Sequence, residues 1–201
     1  MKLVALNGAG ISKASGVPTF AEMGDIREKL SREYFNQYPK EFYNILLEMK
    51  NTIESAKPNK AHIALAEYKV PIVTMNIDGL HKRAGSEQTI EIHGNLEYVI
   101  CRKCKKVYPF AQIKKSIHCE SCNRILEPNV VLYGDHIPDF SNAINLINSS
   151  ERLLVIGTSF YTSTVNDLVF MAESEGIAVD IINFKAEIEV DKYLEKLFKM
   201  K

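Results

Sequence analysis

The chain lacks several features that would narrow its class at once. It carries no net charge, because 25 Lys and Arg stand against 25 Asp and Glu. No global field therefore draws it to nucleic acid as a main partner or to a membrane surface. No apolar run approaches the roughly 18 residues of a membrane span. Met1-Lys2 with Leu3-Val4-Ala5-Leu6 is too short for a secretory leader. There is no internal repeat, low-complexity tract or disordered linker. Cysteine is confined to one stretch, Cys101 to Cys122, which is unlike a disulfide framework. These absences predict a soluble cytoplasmic protein. Its 201 residues, 46% apolar and 25% charged, have an ordinary globular composition. A chain of that length buries about 70% of its unfolded surface, enough for one domain with a small insertion.

Along the chain, apolar strands alternate with helical patterns. Leu3 to Leu6 reads as a buried strand entering the turn Asn7-Gly8-Ala9-Gly10. Asp25 to Ser55 reads as two helices separated by Pro39. Asn59 is a good N-cap for a third, with Ala61, Ala64, Leu65 and Tyr68 on one face. Pro71 to Thr74 and Thr89 to Ile92 are further strands, with Asn76 or Asp78 capping a short helix between them. After the cysteines come an apolar stretch at Val130 to Tyr133 and a helix from Asp139 to Asn148. A strand at Leu153 to Ile156, a helix through Ala172, a strand at Ala178 to Ile182 and an amphipathic closing helix complete the chain. The pattern predicts an α/β fold, a parallel sheet covered by helices on both faces.

Three groups of residues could carry chemistry. Gly8-Ala9-Gly10 after a strand resembles the start of a dinucleotide fingerprint, where small residues let backbone N–H groups approach a diphosphate. Lys13 stands where the third glycine belongs, so the turn alone also fits a ligand-free strand-to-helix corner. Cys101-x2-Cys104 and Cys119-x2-Cys122 form two knuckles able to bring four thiolates round one tetrahedral Zn²⁺. Four sulfur ligands close the shell and make such a metal structural. His118 adjoins Cys119 and could replace a thiolate. Asn76-Ile77-Asp78 and His93 follow successive strands, and polar groups so placed collect at the carboxyl edge of a parallel sheet, where ligands bind. Singly, each is equally a helix cap or a structural strand-end residue. Histidine is also the side chain suited to general-base work near neutral pH.

Taken in order, GAGISKASGVPTF (8–20), TMNIDGLHKRAG (74–85), EIHGN (91–95), the paired cysteines, PNVVLYGD (128–135), VIGTS (155–159) and Ile182-Asn183 resemble the sirtuins, NAD-dependent protein deacylases. The resemblance spans about Leu3 to Asn183, and the combination is far more specific than any part. It implies a Rossmann-type NAD-binding domain (1–24, 56–100 and 124–201). A small domain would combine a helical module (25–55) and a zinc module (101–123). Gly8, Ala9, Gly10 and Ile11 would face the diphosphate, and Phe20 would shield the reacting ribose. Asn76, Ile77 and Asp78 would form the nicotinamide pocket, with Asn76 and Asp78 assisting the general base His93. Gly157, Thr158, Ser159 and Asn183 would hold the adenosine half. Val131, Tyr133 and Gly134 would line the groove for an acyl-lysine protein or peptide. Cys101, Cys104, Cys119 and Cys122 would hold the zinc. The expected products are nicotinamide, free lysine and O-acyl-ADP-ribose, made by a cytoplasmic monomer.

The chain departs from the family pattern at several positions. Ala21 follows Phe20 where arginine is usual, and Met75 replaces the glutamine of TQN. Asp135 stands for glutamate, and Phe160-Tyr161 for leucine-valine. It is a short, divergent, prokaryotic-type sequence. The first two changes fall at NAD contacts of the family. They raise mono-ADP-ribosyl transfer, or NAD or ADP-ribose binding without catalysis, as alternatives.

Overall fold

The computed structural model describes residues 2–19, 21–160 and 163–199; Phe20 and Tyr161 lie outside the described residues. Five strands form one parallel sheet: β1 (Leu3–Asn7), β2 (Ile72–Thr74), β3 (Thr89–Glu91), β7 (Arg152–Ile156) and β8 (Ala178–Ile182). Their order is β3-β2-β1-β7-β8. An antiparallel sheet, in the order β5-β4-β6, joins β4 (Gly94–Ile100), β5 (Val107–Pro109) and β6 (Glu127–Val130). The helices are α1 (Ile26–Lys29), α2 (Arg32–Gln37), α3 (Pro39–Ser55), α4 (Lys60–Glu67) and α5 (Leu80–Arg83), then α6 (Phe140–Asn148), α7 (Ser163–Ser174) and α8 (Ala186–Lys199). Among the described residues no helix is long and apolar enough to cross a membrane.

Successive strand residues face opposite sides of a sheet, and here both sides are apolar. Leu3 and Ala5 of β1 enter one core with Leu154 and Ile156 of β7, beneath α4 and α8. Val4 and Leu6 enter the other with Leu153 and Val155, beneath α6 and α7. Leu65, Val190 and Leu194 fill the first layer, and Ile147, Val165 and Leu168 the second. Each such buried aliphatic side chain contributes roughly 1.5–3 kcal/mol. The expected doubly covered parallel sheet is what forms. A third core lies apart from it. There Phe35, Phe42 and Leu46 of α2 and α3 pack against Leu96, Val99, Phe110 and Leu126. Segments remote in sequence, before and after the cysteines, thus share one apolar interior.

Local chemistry sets most boundaries. Asn59 caps α4 by accepting the Ala61 N–H at 3.0 Å. Pro39 opens α3 at its first turn, where a missing N–H leaves no bond unmade. The helical stretch nevertheless divides into three, because Ser31 starts α2 anew by capping the Tyr34 N–H. The short helix α5 starts after Gly79, at φ +64°, rather than at Asn76. Asp78 contributes by accepting the Leu80 N–H at 2.8 Å, while the Asn76 side chain turns elsewhere. The chain leaves β1 for β2 and β3 on one side and returns through β7 and β8 on the other. The carboxyl ends of β1 and β7 therefore flank the switch point, where parallel sheets bind ligands.

Candidate active site

At that switch point two loops touch backbone to backbone. Gly8 N–H donates to Ile156 O, Gly10 N–H to Gly157 O, and Gly157 N–H to Ile182 O, at 2.8–2.9 Å. A Cβ on Gly10 would lie 2.7 Å from Gly157 Cα. One on Gly157, at φ +61°, would lie 2.3 Å from the Ile11 nitrogen. Only glycine allows this approach, and its result is a cradle open to an elongated ligand. A cavity of about 690 Å³ follows it, lined by Gly8, Ala9, Gly10, Thr158, Ser159 and Asn183. Asn183 Oδ1 accepts the Thr158 N–H at 2.9 Å. The buried Thr158 hydroxyl has no partner among the described residues, as expected of a group reserved for a ligand. These features fit a dinucleotide. Ile11 lies behind the cradle: its side chain is fully buried in the α4–α8 layer and its N–H bonds Gly8 O at 3.2 Å.

A second cavity of about 430 Å³ opens towards the helices and β6, lined by Ile77, Asp78, Val131, Tyr133 and Gly134 among others. The two cavities share Ala9, Met75, Asn76 and His93. His93 therefore stands at their junction. Its Nδ1 lies 3.1 Å from Met75 O; a carbonyl only accepts, so Nδ1 carries the proton and Nε2 is left as the base. Burial pushes the His93 pKa below the ordinary histidine value, partly offset by the Met75 carbonyl. The ring is thus neutral at pH 7. The following Gly94, at φ +74°, holds this segment against β6, where a Cβ would come within 2.1 Å of Asn129 O.

Asn76 and Asp78 are buried behind this junction. Asn76 Nδ2 donates to Gly8 O and to Ser12 Oγ, both at 3.2 Å, and Ser12 Oγ donates to Asp78 Oδ2 at 2.7 Å. Burial raises the Asp78 pKa, opposed by the Leu80 N–H and the Ser12 hydroxyl. Sequence reasoning gave no role to Ser12, to the buried His62 beside it, or to His81 at the end of the polar segment that starts at Asn76. Their signal was faint: polar residues on faces that otherwise bury, such as His62 among Ala61, Ala64 and Leu65.

In the second cavity, Tyr133 is anchored through its backbone. Its N–H donates to Leu30 O at 3.1 Å, and its carbonyl accepts the Arg32 N–H at 3.0 Å. Arg32 forks onto both oxygens of Asp135 at 2.8 Å and reaches Glu127 at 2.7 Å. The departures from the family pattern also find their places. Ala21 lines the larger cavity and is exposed. Met75 is buried between both cavities. Glu22, next to Ala21, pairs with Lys13 at 2.7 Å.

The four cysteines converge, their sulfur atoms within 4.8 Å of one another, and none is oxidised. His118 is not part of the group among the described residues. The two knuckles repeat one turn. Lys105 and Asn123 both take positive φ and donate to Cys101 O and Cys119 O, while Cys101 N–H and Cys119 N–H donate to Lys106 O and Arg124 O. Four thiols so arranged fit one tetrahedral Zn²⁺ with no open position. Burial of the group in the third core makes the role structural.

Comparison with known proteins agrees with this geometry. The Sir2 family model matches residues 8–164. An NAD-dependent protein deacetylase of Bacillus cereus is 38% identical over 196 residues, covering 90% of this chain and 80% of that protein. One of Thermotoga maritima is 34% identical over 198 residues, with the same coverage. A Sir2 homolog solved as an NAD complex superposes with a TM-score of 0.89 at 26% identity, covering 99% of this chain and 90% of that one. A Sir2 structure with a p53 peptide and NAD+ gives 0.87 at 30% identity, covering 100% and 94%. With a glycine cradle, a junctional histidine, a four-cysteine cluster and a family match over most of its length, the chain belongs to the Sir2 family.

Proposed function

We propose that this protein removes acyl groups, acetyl included, from protein lysine side chains with NAD as cosubstrate, releasing nicotinamide and O-acyl-ADP-ribose. The observation that carries the reading is the position of His93, a neutral oriented base where the cavity along the glycine cradle meets the one lined by Val131 and Tyr133. NAD supplies the ribose carbon that bonds the acyl oxygen as nicotinamide departs. Gly8, Ala9 and Gly10 hold the diphosphate, and Gly157, Thr158, Ser159 and Asn183 the adenosine half. Asn76, Ile77 and Asp78 hold the nicotinamide end. Val131, Tyr133 and Gly134 guide the acyl-lysine towards the same point. His93 Nε2 would take a proton from a ribose hydroxyl, freeing that oxygen to attack the acyl carbon. One water then adds at that carbon, the lysine nitrogen leaves as the free amine, and the acyl group remains on the ribose oxygen. The apolar side chains lining the second cavity, Leu30, Val131 and Leu132 among them, would limit the access of water, so that the weakly nucleophilic amide oxygen meets its target first. Zinc bound by Cys101, Cys104, Cys119 and Cys122 supports the small domain (25–55 with 101–123) against the larger one and takes no part in the reaction. The reading includes a cytoplasmic monomer.

Met75 favours a second product from the same cleft. Its apolar side chain stands where the family places a ribose-binding amide, which supports mono-ADP-ribosyl transfer. A panel of acyl-lysine peptides incubated with and without NAD, read by mass, separates the two: loss of the acyl group against gain of ADP-ribose. Nucleotide binding with neither change would overturn both. His93→Ala should lower turnover at least ~100-fold, the usual worth of a general base, while the fold is kept. Normal nicotinamide release together with normal deacylation of the peptide by that variant would remove His93 from the mechanism.

A further inference from the structure

Ser12 is the hub of the buried polar cluster, and its bonds can be assigned completely. A hydroxyl has one proton to give and two lone pairs to fill. Its oxygen lies 2.7 Å from Asp78 Oδ2, 3.2 Å from Asn76 Nδ2 and 3.4 Å from His62 Nε2. Asn76 Nδ2 also meets Gly8 O, which only accepts, so this end of the amide is the donor. The serine proton therefore goes to Asp78. The remaining partner is settled from the far side of the imidazole. His62 Nδ1 lies 3.3 Å from the backbone nitrogen of Asn59, which only donates, so the ring proton sits on Nε2. His62 thus donates to Ser12, and the hydroxyl's valency is full.

The ring is locked in that form. His62 is fully buried, and burial pushes its pKa down to about 4, with the Arg83 guanidinium adding to the effect. A proton on Nδ1 would confront the Asn59 N–H. His81, also buried, packs with its ring centroid 4.7 Å from that of His62, and its Nε2 meets Asn7 Nδ2 at 3.1 Å. A charge on either ring would face the other.

We propose that His62 is a positioning residue for the nicotinamide end of the cleft: by filling the last lone pair of Ser12 it commits the serine proton to Asp78 and keeps Asp78 and Asn76 in one arrangement. The proposal rests on the assignment of those two residues above. Donation from the imidazole also polarises the hydroxyl and strengthens its bond to the carboxylate. Without the Nε2 proton, a lone pair of Ser12 is left empty and its O–H is free to turn from Asp78.

Two variants and one spectrum test this. His62→Asn keeps an acceptor for the Asn59 N–H and deletes the donor to Ser12, whereas the longer amide of His62→Gln restores a donor. With an acetyl-lysine peptide and NAD, the Asn variant should lose about tenfold in kcat and about tenfold in nicotinamide inhibition, with KM for NAD changed less than about twofold. The Gln variant should recover most of both. Equal losses in the two variants, or wild-type behaviour of the Asn variant, would overturn the proposal. ¹⁵N-histidine spectra of the wild-type protein should show His62 as the Nε2–H tautomer. The opposite tautomer overturns the proposal even if neither variant folds. Asn76→Ala assayed alongside separates the two levels. If it still releases nicotinamide normally, the site assignment and the proposal both fall. If it is inactive while His62→Asn equals wild type, the proposal alone falls.

Discussion

The parallel-sheet layer and the helical–cysteine side meet at one cleft but are held by different forces. In the sheet layer β1 and β7 are apolar on both faces, and the main-chain ladder satisfies their polar groups. Such a region derives its stability from burial and close packing. The other side has a three-stranded antiparallel sheet and one core of its own, closed by thiols and by Arg32, whose partners Glu127 and Asp135 lie about a hundred residues along the chain. Its stability depends on specific long-range fastenings. The cleft therefore joins a wall held by burial to one that also relies on specific fastenings.

Metal removal is the strongest way to break that contrast. Structural zinc sites carry on the order of 10 kcal/mol of metal-linked stability. Chelation should strip hydrogen-exchange protection from β4 to β6 and leave β1 and β7 protected. Equal loss in both regions would show that they do not differ as described. Acid should act on the sheet layer as well. Unfolded histidine takes its proton near pH 6.5, but folded His62 only at about 4. Between those values the unfolded state binds more protons, so stability falls as pH falls. The loss is complete below pH 4, at about 3 kcal/mol. A urea series from pH 7 to 4 checks it, and a flat midpoint would refute it.

Gly157→Ala strikes the seam between the two loops. Positive φ and a 2.3 Å approach to the Ile11 nitrogen should cost about 2–3 kcal/mol and most of the NAD affinity. Calorimetry with NAD tests this, and unchanged binding would mean the loops do not form the cradle. Arg32→Met should be mildest, at about 1–2 kcal/mol, because the side chain is partly exposed. It should raise KM for peptide while leaving KM for NAD alone. A reversed pattern would place the fastening on the cofactor side.

The sequence was legible wherever a short window determined the outcome. The strand at Ala178–Ile182, the cap at Asn59 and the paired cysteine knuckles each rest on neighbours within a few residues. It was less legible where the decisive partner was distant. The split of α1 from α2 reflects Ser31 and Leu30 pairing with Tyr133, and β4 pairs with β6 across the intervening cysteine segment. Ser12, His62 and His81 looked like ordinary polar residues in apolar surroundings. What marks them is mutual satisfaction across Asn76 and Asp78, and no local pattern encodes that.

Met75 gives the site a further property. Its carbonyl orients His93 and its N–H donates to Asn7 O at 3.0 Å, so the backbone alone does the anchoring. Its side chain, facing both cavities, is free of that duty. Evolution can therefore exchange the group at this position, as the departure from glutamine illustrates, and explore new ligands without retuning the base beside it.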